Sequence, residues 1–120
     1  MDTEALACNV AEILEDKLAN DIVILDVEDL VGYASHFVLA SGRSERQVKA
    51  LAEHTRDQMK LNFDLPALSA EGLQAGRWAL IDFGDIVVHI FKEDERDFYD
   101  LEGLWRDAQP VDRASRAAVH

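Results

Sequence analysis

Among its 120 residues the chain has one cysteine, Cys8. A lone thiol excludes an intramolecular disulfide and any multi-cysteine metal framework, and it fits a reducing cytosol. Basic residues are also scarce, with 12 Lys and Arg against 24 Asp and Glu for a net charge of −12. Nucleic-acid affinity comes largely from cations neutralising phosphates, so direct sequence-specific binding to RNA or DNA is disfavoured. An acidic surface instead suits a basic protein partner. No apolar run approaches the roughly 18 residues that would suggest a membrane span. The opening "MDTEALACNV" carries two acids and no Lys or Arg, unlike the basic front of a signal peptide or an Arg-rich transit peptide, which makes a cytoplasmic protein the expectation. Repeats and low-complexity segments are absent, and the length is that of one domain. A chain of that size buries about two thirds of its unfolded surface.

What is present alternates between two periodicities. Leu6, Val10, Ile13, Leu14 and Leu18 recur at helical spacing behind Thr3 as a cap, with Asn20 placed to close the helix. "DIVILDVEDL" predicts a strand over Ile22 to Val27, buried on both faces, and a turn follows near Gly32. "HFVLASG" predicts a second strand. Ser44 then opens a capping box with Gln47, and the helix behind it lines one face with Val48, Leu51, Ala52, Thr55 and Met59. On its other face Glu45 and Lys49 stand one turn apart in the favoured order. "NFDLPALSAEG" reads as loop with a short strand before Glu71 and Gly72. A hairpin, a short acidic helix from Asp94 to Tyr99, and the helical stripe Leu101, Leu104 and Trp105 complete the domain. We therefore expect a single α/β domain over residues 1–110, a mixed β-sheet with helices packed on it, and a flexible tail over 111–120.

The hairpin "WALIDFGDIVVHIF" carries the most chemistry. Phe83, Gly84 and Asp85 hold the turn, and either two-residue loop, Phe83 with Gly84 or Gly84 with Asp85, divides the faces in the same way. Ala79, Ile81, Ile86, Val88 and Ile90 form an apolar face that must be core. Trp78, Leu80, Asp82, Val87, His89 and Phe91 form the other, with Asp85 at its tip, and this mixture of large apolar and ionisable groups is the composition of a protein contact surface. Two readings compete with it. Asp82, Asp85 and His89 are of the types that bind metal, but they lack a recognisable ligand spacing. Alternatively, Asp82 caps the turn through backbone N–H groups and His89 is a cross-strand residue under Trp78.

Other constellations are weaker. In "LASGRSER", Ser41, Gly42, Arg43 and Ser44 lead from a strand into a helix, where N–H groups could cradle a phosphate. The spacing is neither that of a P-loop nor that of a dinucleotide fingerprint. A nucleotide-binding or nucleotidyl-transferring enzyme built on this turn is the alternative to a binding protein, but two-metal transfer needs converging carboxylates, and no Asp-x-Asp or Asp-x-Glu pair follows the turn on a strand. Cys8 has no spacing relation to His36, His54, His89 or His120 that would support a thiol nucleophile pair. In "ERDFYDLEGLW", Arg96, Tyr99 and Trp105 are types enriched at interface hot spots, and they would extend the hairpin's mixed face if this segment folds back over the sheet.

The order and spacing of "DIVILDV", "HFVLASGRSERQVKALA", Glu71 with Gly72, "WALIDFGDIVVHIF" and "ERDFYDLEGLW" resemble the ribosomal silencing factor family, also called the Iojap family, over about residues 5 to 107. The resemblance implies a nucleotidyltransferase-like topology without the catalytic acids, hence no enzyme activity, no cofactor and no metal. It also implies binding to the large ribosomal subunit through ribosomal protein L-fourteen, and a steric block to subunit joining that represses translation under nutrient limitation. Carried over position by position, the family-like contact residues are Trp78, Asp82, Asp85, His89, Arg96, Tyr99, Leu101 and Trp105. When the protein is free, the same patch offers a surface for a homodimer. Departures from the family pattern are Ser35 and His36, where an Asp and another residue commonly precede the second strand, and Gly103, where a basic residue is usual. For the tail beyond Asp112 no family counterpart is expected.

Overall fold

The computed structural model describes residues 2–95 and 108–111. Arg96 and Tyr99 of the expected acidic helix therefore lie outside the described residues, as do Leu101, Gly103 and Trp105 of the stripe after it and residues 112–120 of the expected tail. Val111, the first residue of that expected flexible tail, is instead tied to the sheet, its N–H donating to the Ile24 carbonyl at 2.9 Å and its side chain packing against the core. The elements are α1 (Thr3–Asp16), β1 (Asn20–Asp26), β2 (His36–Gly42), α2 (Glu45–Phe63), β3 (Ser69–Glu71), β4 (Trp78–Asp82), β5 (Ile86–Lys92) and β6 (Gln109–Pro110). They build one α/β domain around a mixed six-stranded sheet in the order β3-β4-β5-β2-β1-β6. Only the central β2–β5 pair is parallel; the other neighbours run antiparallel. None of the described helices is long and apolar enough to cross a membrane.

Helices α1 and α2 cover the same face of the sheet. Ala7, Val10, Ala11 and Leu14 of α1 and Val48, Leu51, Ala52 and Met59 of α2 pack on Ile24, Val38, Ala40, Ala79, Ile81, Ile86, Val88 and Ile90. Each Val, Leu, Ile or Met among them that is taken fully out of water contributes about 1.5–3 kcal/mol, which is why both amphipathic stripes face inward. Leu25, Val27, Phe37, Leu39, Val87 and Phe91 form a second apolar cluster on the opposite face.

The predicted buried stripe of α2, with Thr55 among its members, matches the observed one. Ser44 accepts from the Gln47 backbone N–H at 3.1 Å, as the capping box requires. The returning Gln47 side chain reaches one residue further than expected and accepts from the Arg43 N–H at 2.6 Å, while its amide donates to the Leu18 carbonyl at 3.3 Å. Replacing Ser44 with Ala is expected to cost about 1 kcal/mol, read as a lower urea midpoint at unchanged slope. Glu45 does not spend its charge on Lys49; it pairs with Arg77 at 3.6 Å, joining the start of α2 to the start of β4.

Helix α1 departs from expectation at both ends. Asp2, not Thr3, is the cap, its carboxylate accepting from the Glu4 and Ala5 N–H groups at 3.0 and 3.3 Å. The chain leaves the helix through Leu18, whose φ of 65° turns it back so that Ala19 N–H reaches the Leu14 carbonyl. Asn20 is consequently the first residue of β1 and not the end of the helix. Strand β1 is fully buried only at Ile24 and Leu25, since β6 pairs only at Leu25 and Asp26 and leaves the first half less covered. That half also carries a register shift between Asn20 and Val23, where Asp21 has a φ of 50°.

A candidate protein-contact site on the β4–β5 hairpin

The register Trp78↔Phe91, Leu80↔His89 and Asp82↔Val87 leaves Gly84 and Asp85 as the two turn residues, with Phe83 N–H donating to the Ile86 carbonyl at 2.9 Å. Gly84 has a φ of 99°, which a II′-type turn demands at its first position and which glycine meets without strain. The choice between the two possible loops thus follows from the glycine. The division of faces is the expected one. Ala79, Ile81, Ile86, Val88 and Ile90 lie under the helices, and Trp78, Leu80, Asp82, Val87, His89 and Phe91 lie on the other side.

That second side is graded across its width. On β5, Val87, His89 and Phe91 are buried, with His89 7% exposed and Phe91 0%. On β4, Trp78, Leu80 and Asp82 are each half-buried, and Asp85 at the tip is exposed. Of the described candidates, then, Trp78, Asp82 and Asp85 present surface, and His89 lies behind them. Their setting is aromatic: the Trp78 ring lies 5.1 Å from Phe91, and His89 meets Phe37 edge-on at 4.9 Å.

The polar groups are tied in specific ways. Asp82 Oδ1 accepts from the Gly84 N–H at 2.8 Å, so one carboxylate oxygen rigidifies the turn. The Asp85 backbone carbonyl accepts from the Ser35 and His36 N–H groups at 2.7 and 3.1 Å, pinning the tip to the start of β2. Trp78 Nε1 donates to His89 Nδ1 at 3.2 Å, which places the imidazole proton on Nε2. Nε2 is buried with no partner among the described residues. Burial lowers the His89 pKa from 6.5 to about 4, so the ring is neutral at physiological pH.

A folded-state value below the ordinary one means that the unfolded chain takes up this proton first. Stability attributable to His89 is therefore complete above about pH 6.5 and is lost as pH falls toward 4, by about 3 kcal/mol in all. Chemical denaturation at pH 7.5 and pH 5 is expected to show about 2 kcal/mol of this loss in wild type. His89→Asn, which cannot titrate, should lack that portion of the slope.

Among the described residues no three His, Cys, Asp or Glu side chains are grouped to hold a metal ion. At the Ser41 to Ser44 turn, Ser41 is 0% exposed and a Cβ added at Gly42 would lie 3.0 Å from Val48 Cγ2. Two N–H groups of the turn, those of Arg43 and Gln47, are already bonded within the cap. The turn is thus built as a packed strand-to-helix joint, which leaves it less to offer an anion. Cys8 packs at the margin of the helix-covered core.

Two surface residues beside the hairpin carry no signal in the one-dimensional pattern. Leu68, 73% exposed, donates its N–H to the Asp82 carbonyl at 2.7 Å, and its Cδ1 would lie 3.6 Å from a Cβ placed on Gly84. Tyr33, 66% exposed, stands 6.1 Å from Phe37 on the face opposite α1 and α2. Both belong to loops, and only the sheet register brings them toward the tip. Over residues 78–91 the hairpin itself contains no Lys or Arg, so its exposed charge is entirely acidic.

Comparison with known proteins agrees with this fold. A family model described as "Ribosomal silencing factor during starvation" matches residues 1–119, through the segment after Asp112 as well. A Bacillus subtilis protein named "Ribosomal silencing factor RsfS" is 39% identical over 112 residues, covering 93% of this chain and 94% of its own. A mouse protein named "Mitochondrial assembly of ribosomal large subunit protein 1" is 31% identical over 99 residues, covering 80% of this chain and 43% of its own. The crystal structure of a Chromobacterium violaceum protein superposes with a TM-score of 0.85 at 35% identity, covering 94% of this chain and 93% of that one. The chain belongs to the ribosomal silencing factor family, whose members regulate translation by binding the ribosome and not by catalysis.

Proposed function

We propose that this protein acts in the cytoplasm by seating the β4–β5 hairpin on a basic protein of the large ribosomal subunit, ribosomal protein L-fourteen, and so blocking the small subunit from joining. Translation falls under nutrient limitation because occupied large subunits are withheld from the joined pool. Family membership implies the large subunit as the target. The observation that carries the choice of surface is the rigid acidic tip, with Asp85 exposed and Asp82 half-buried beside the half-buried Trp78 and Leu80. Aromatic anchors at the centre supply affinity, and carboxylates at the margin set orientation and approach to a basic partner. Arg96, Tyr99, Leu101 and Trp105 join this contact on their sequence pattern.

Co-sedimentation with purified large subunits, small subunits and joined ribosomes tests the proposal. Binding to large subunits alone is expected, together with release as salt is raised, because the margin of the contact is charged. Equal binding to small subunits would refute it. Sedimentation of the free protein over a range of concentrations reports whether the same surface also pairs with a second copy.

A further inference from the structure

Resting on that reading of the hairpin, we propose that His89 is a positioning residue, which never meets the ribosomal partner but fixes the Trp78 indole in the orientation in which that ring meets it. The register makes the pair diagonal: Phe91 stands directly opposite Trp78, and His89 is opposite Leu80. From β5 the indole is thus held at two points. Phe91 supports the ring at 5.1 Å and 35°, and His89 Nδ1 accepts the Nε1 proton at 3.2 Å. A ring fixed by a packing contact and a directional bond at once loses little further freedom on binding.

His89 is itself clamped. Phe37 meets it edge-on at 4.9 Å, and Phe91 lies parallel to it at 6.2 Å and 5°. At 7% exposure it has no face to offer a partner, whereas Trp78 is half-buried. Among the described residues its neighbours Phe37, Leu39, Leu80, Val87 and Phe91 are apolar, and Asp82, diagonal to it on β4, has a carboxylate oxygen engaged by the Gly84 N–H. Packing alone would be served by another apolar residue here, since a buried Nε2–H without a partner costs free energy. What the imidazole adds is an acceptor under the indole. Only a neutral ring has that acceptor, and burial keeps it neutral at physiological pH.

Three substitutions separate positioning from mere packing. Asn places its amide oxygen where Nδ1 stands, Gln carries it one bond further out, and Leu has none. The chain has two tryptophans, so its indole N–H resonances can be assigned with Trp78→Phe. In His89→Asn the Trp78 resonance is expected to keep its hydrogen-bonded shift and slow exchange, and large-subunit affinity should stay within about threefold of wild type. In His89→Gln and His89→Leu the resonance is expected to move to the position of a freely exchanging indole, with affinity down about tenfold. In the Trp78→Phe background none of the three should lower affinity further, because the indole N–H they act through is gone. Since Asn and Gln are both polar and uncharged, their comparison stands even if His89→Leu fails to fold. Equal affinity for the Asn and Gln variants, with Trp78→Ala still impaired, would overturn the positioning role alone. Wild-type affinity of Trp78→Ala would instead overturn the contact reading beneath it.

Discussion

Asp85→Lys is expected to weaken binding to the large subunit by about 10- to 100-fold while leaving the unfolding midpoint unchanged. The two halves of that expectation come from different atoms of one residue. The backbone carbonyl does the structural part, accepting from Ser35 and His36, and a lysine retains it. The side chain is exposed. No left-handed φ is recorded at this position, so lysine meets no backbone penalty. Reversal therefore changes the charge at the tip and little else, turning attraction for a basic partner into repulsion. Asp82 is a poorer site for the same change, because its carboxylate also caps the turn at Gly84. Asp82→Asn keeps an oxygen for that N–H and removes the charge. Affinities measured at low and moderate salt check the point: the wild-type advantage over Asp85→Lys should shrink as ions screen the contact. A salt-independent difference would contradict an electrostatic role.

The largest effect on stability is expected at Gly72. Its φ is 76°, a region that costs a residue with a side chain about 1–2 kcal/mol. A Cβ there would also lie 2.0 Å from the Trp78 carbonyl oxygen and 3.1 Å from its carbon, both backbone atoms that no rotamer can move aside. Relief requires shifting the first residue of β4. Gly72→Ala should therefore destabilise by about 2–5 kcal/mol, the sum of left-handed strain and overpacking, seen as a large drop in urea midpoint. Because the displaced residue is Trp78, affinity for the large subunit should fall in the fraction that remains folded. An unchanged midpoint would show that the loop before β4 yields without cost.

Where a periodic pattern was long and had one solution, the sequence was enough. The α2 stripe and the two faces of the hairpin each rest on side chains repeating at a helical or alternating period, and a one-residue slip in either would turn its apolar set away from the core, while β2 was legible as a short apolar run buried throughout. Ends and exceptions were harder, because neighbouring residues of equal chemistry compete. Asp2 and Thr3 are both good caps, and only the backbone path decides between them. Leu18 and Asp21 take left-handed conformations that nothing in leucine or in a single aspartate foretells. The pairing of Gln109 and Pro110 with β1 is too short to leave a pattern.

For the site, the residue types were legible and their division of labour was not. Alternation placed Trp78, Asp82 and His89 on one side, yet it carries no information about depth. Depth comes from the sheet order, which sets β5 centrally between β4 and β2 and so buries His89, while β4, one strand from the edge beside the short β3, keeps Trp78 and Asp82 half-buried. The tie between Asp85 and the start of β2 depends on the parallel β2–β5 pairing, a contact between segments some fifty positions apart in the chain.

The most direct test of the central claim is a subunit-joining measurement, in which equimolar large and small subunits are mixed with the protein and resolved on a density gradient. Wild type is expected to leave large subunits unjoined with the protein bound to them, and Asp85→Lys combined with Trp78→Ala is expected to restore joining. Joined ribosomes forming at the normal level with wild-type protein still attached would contradict occlusion through this hairpin.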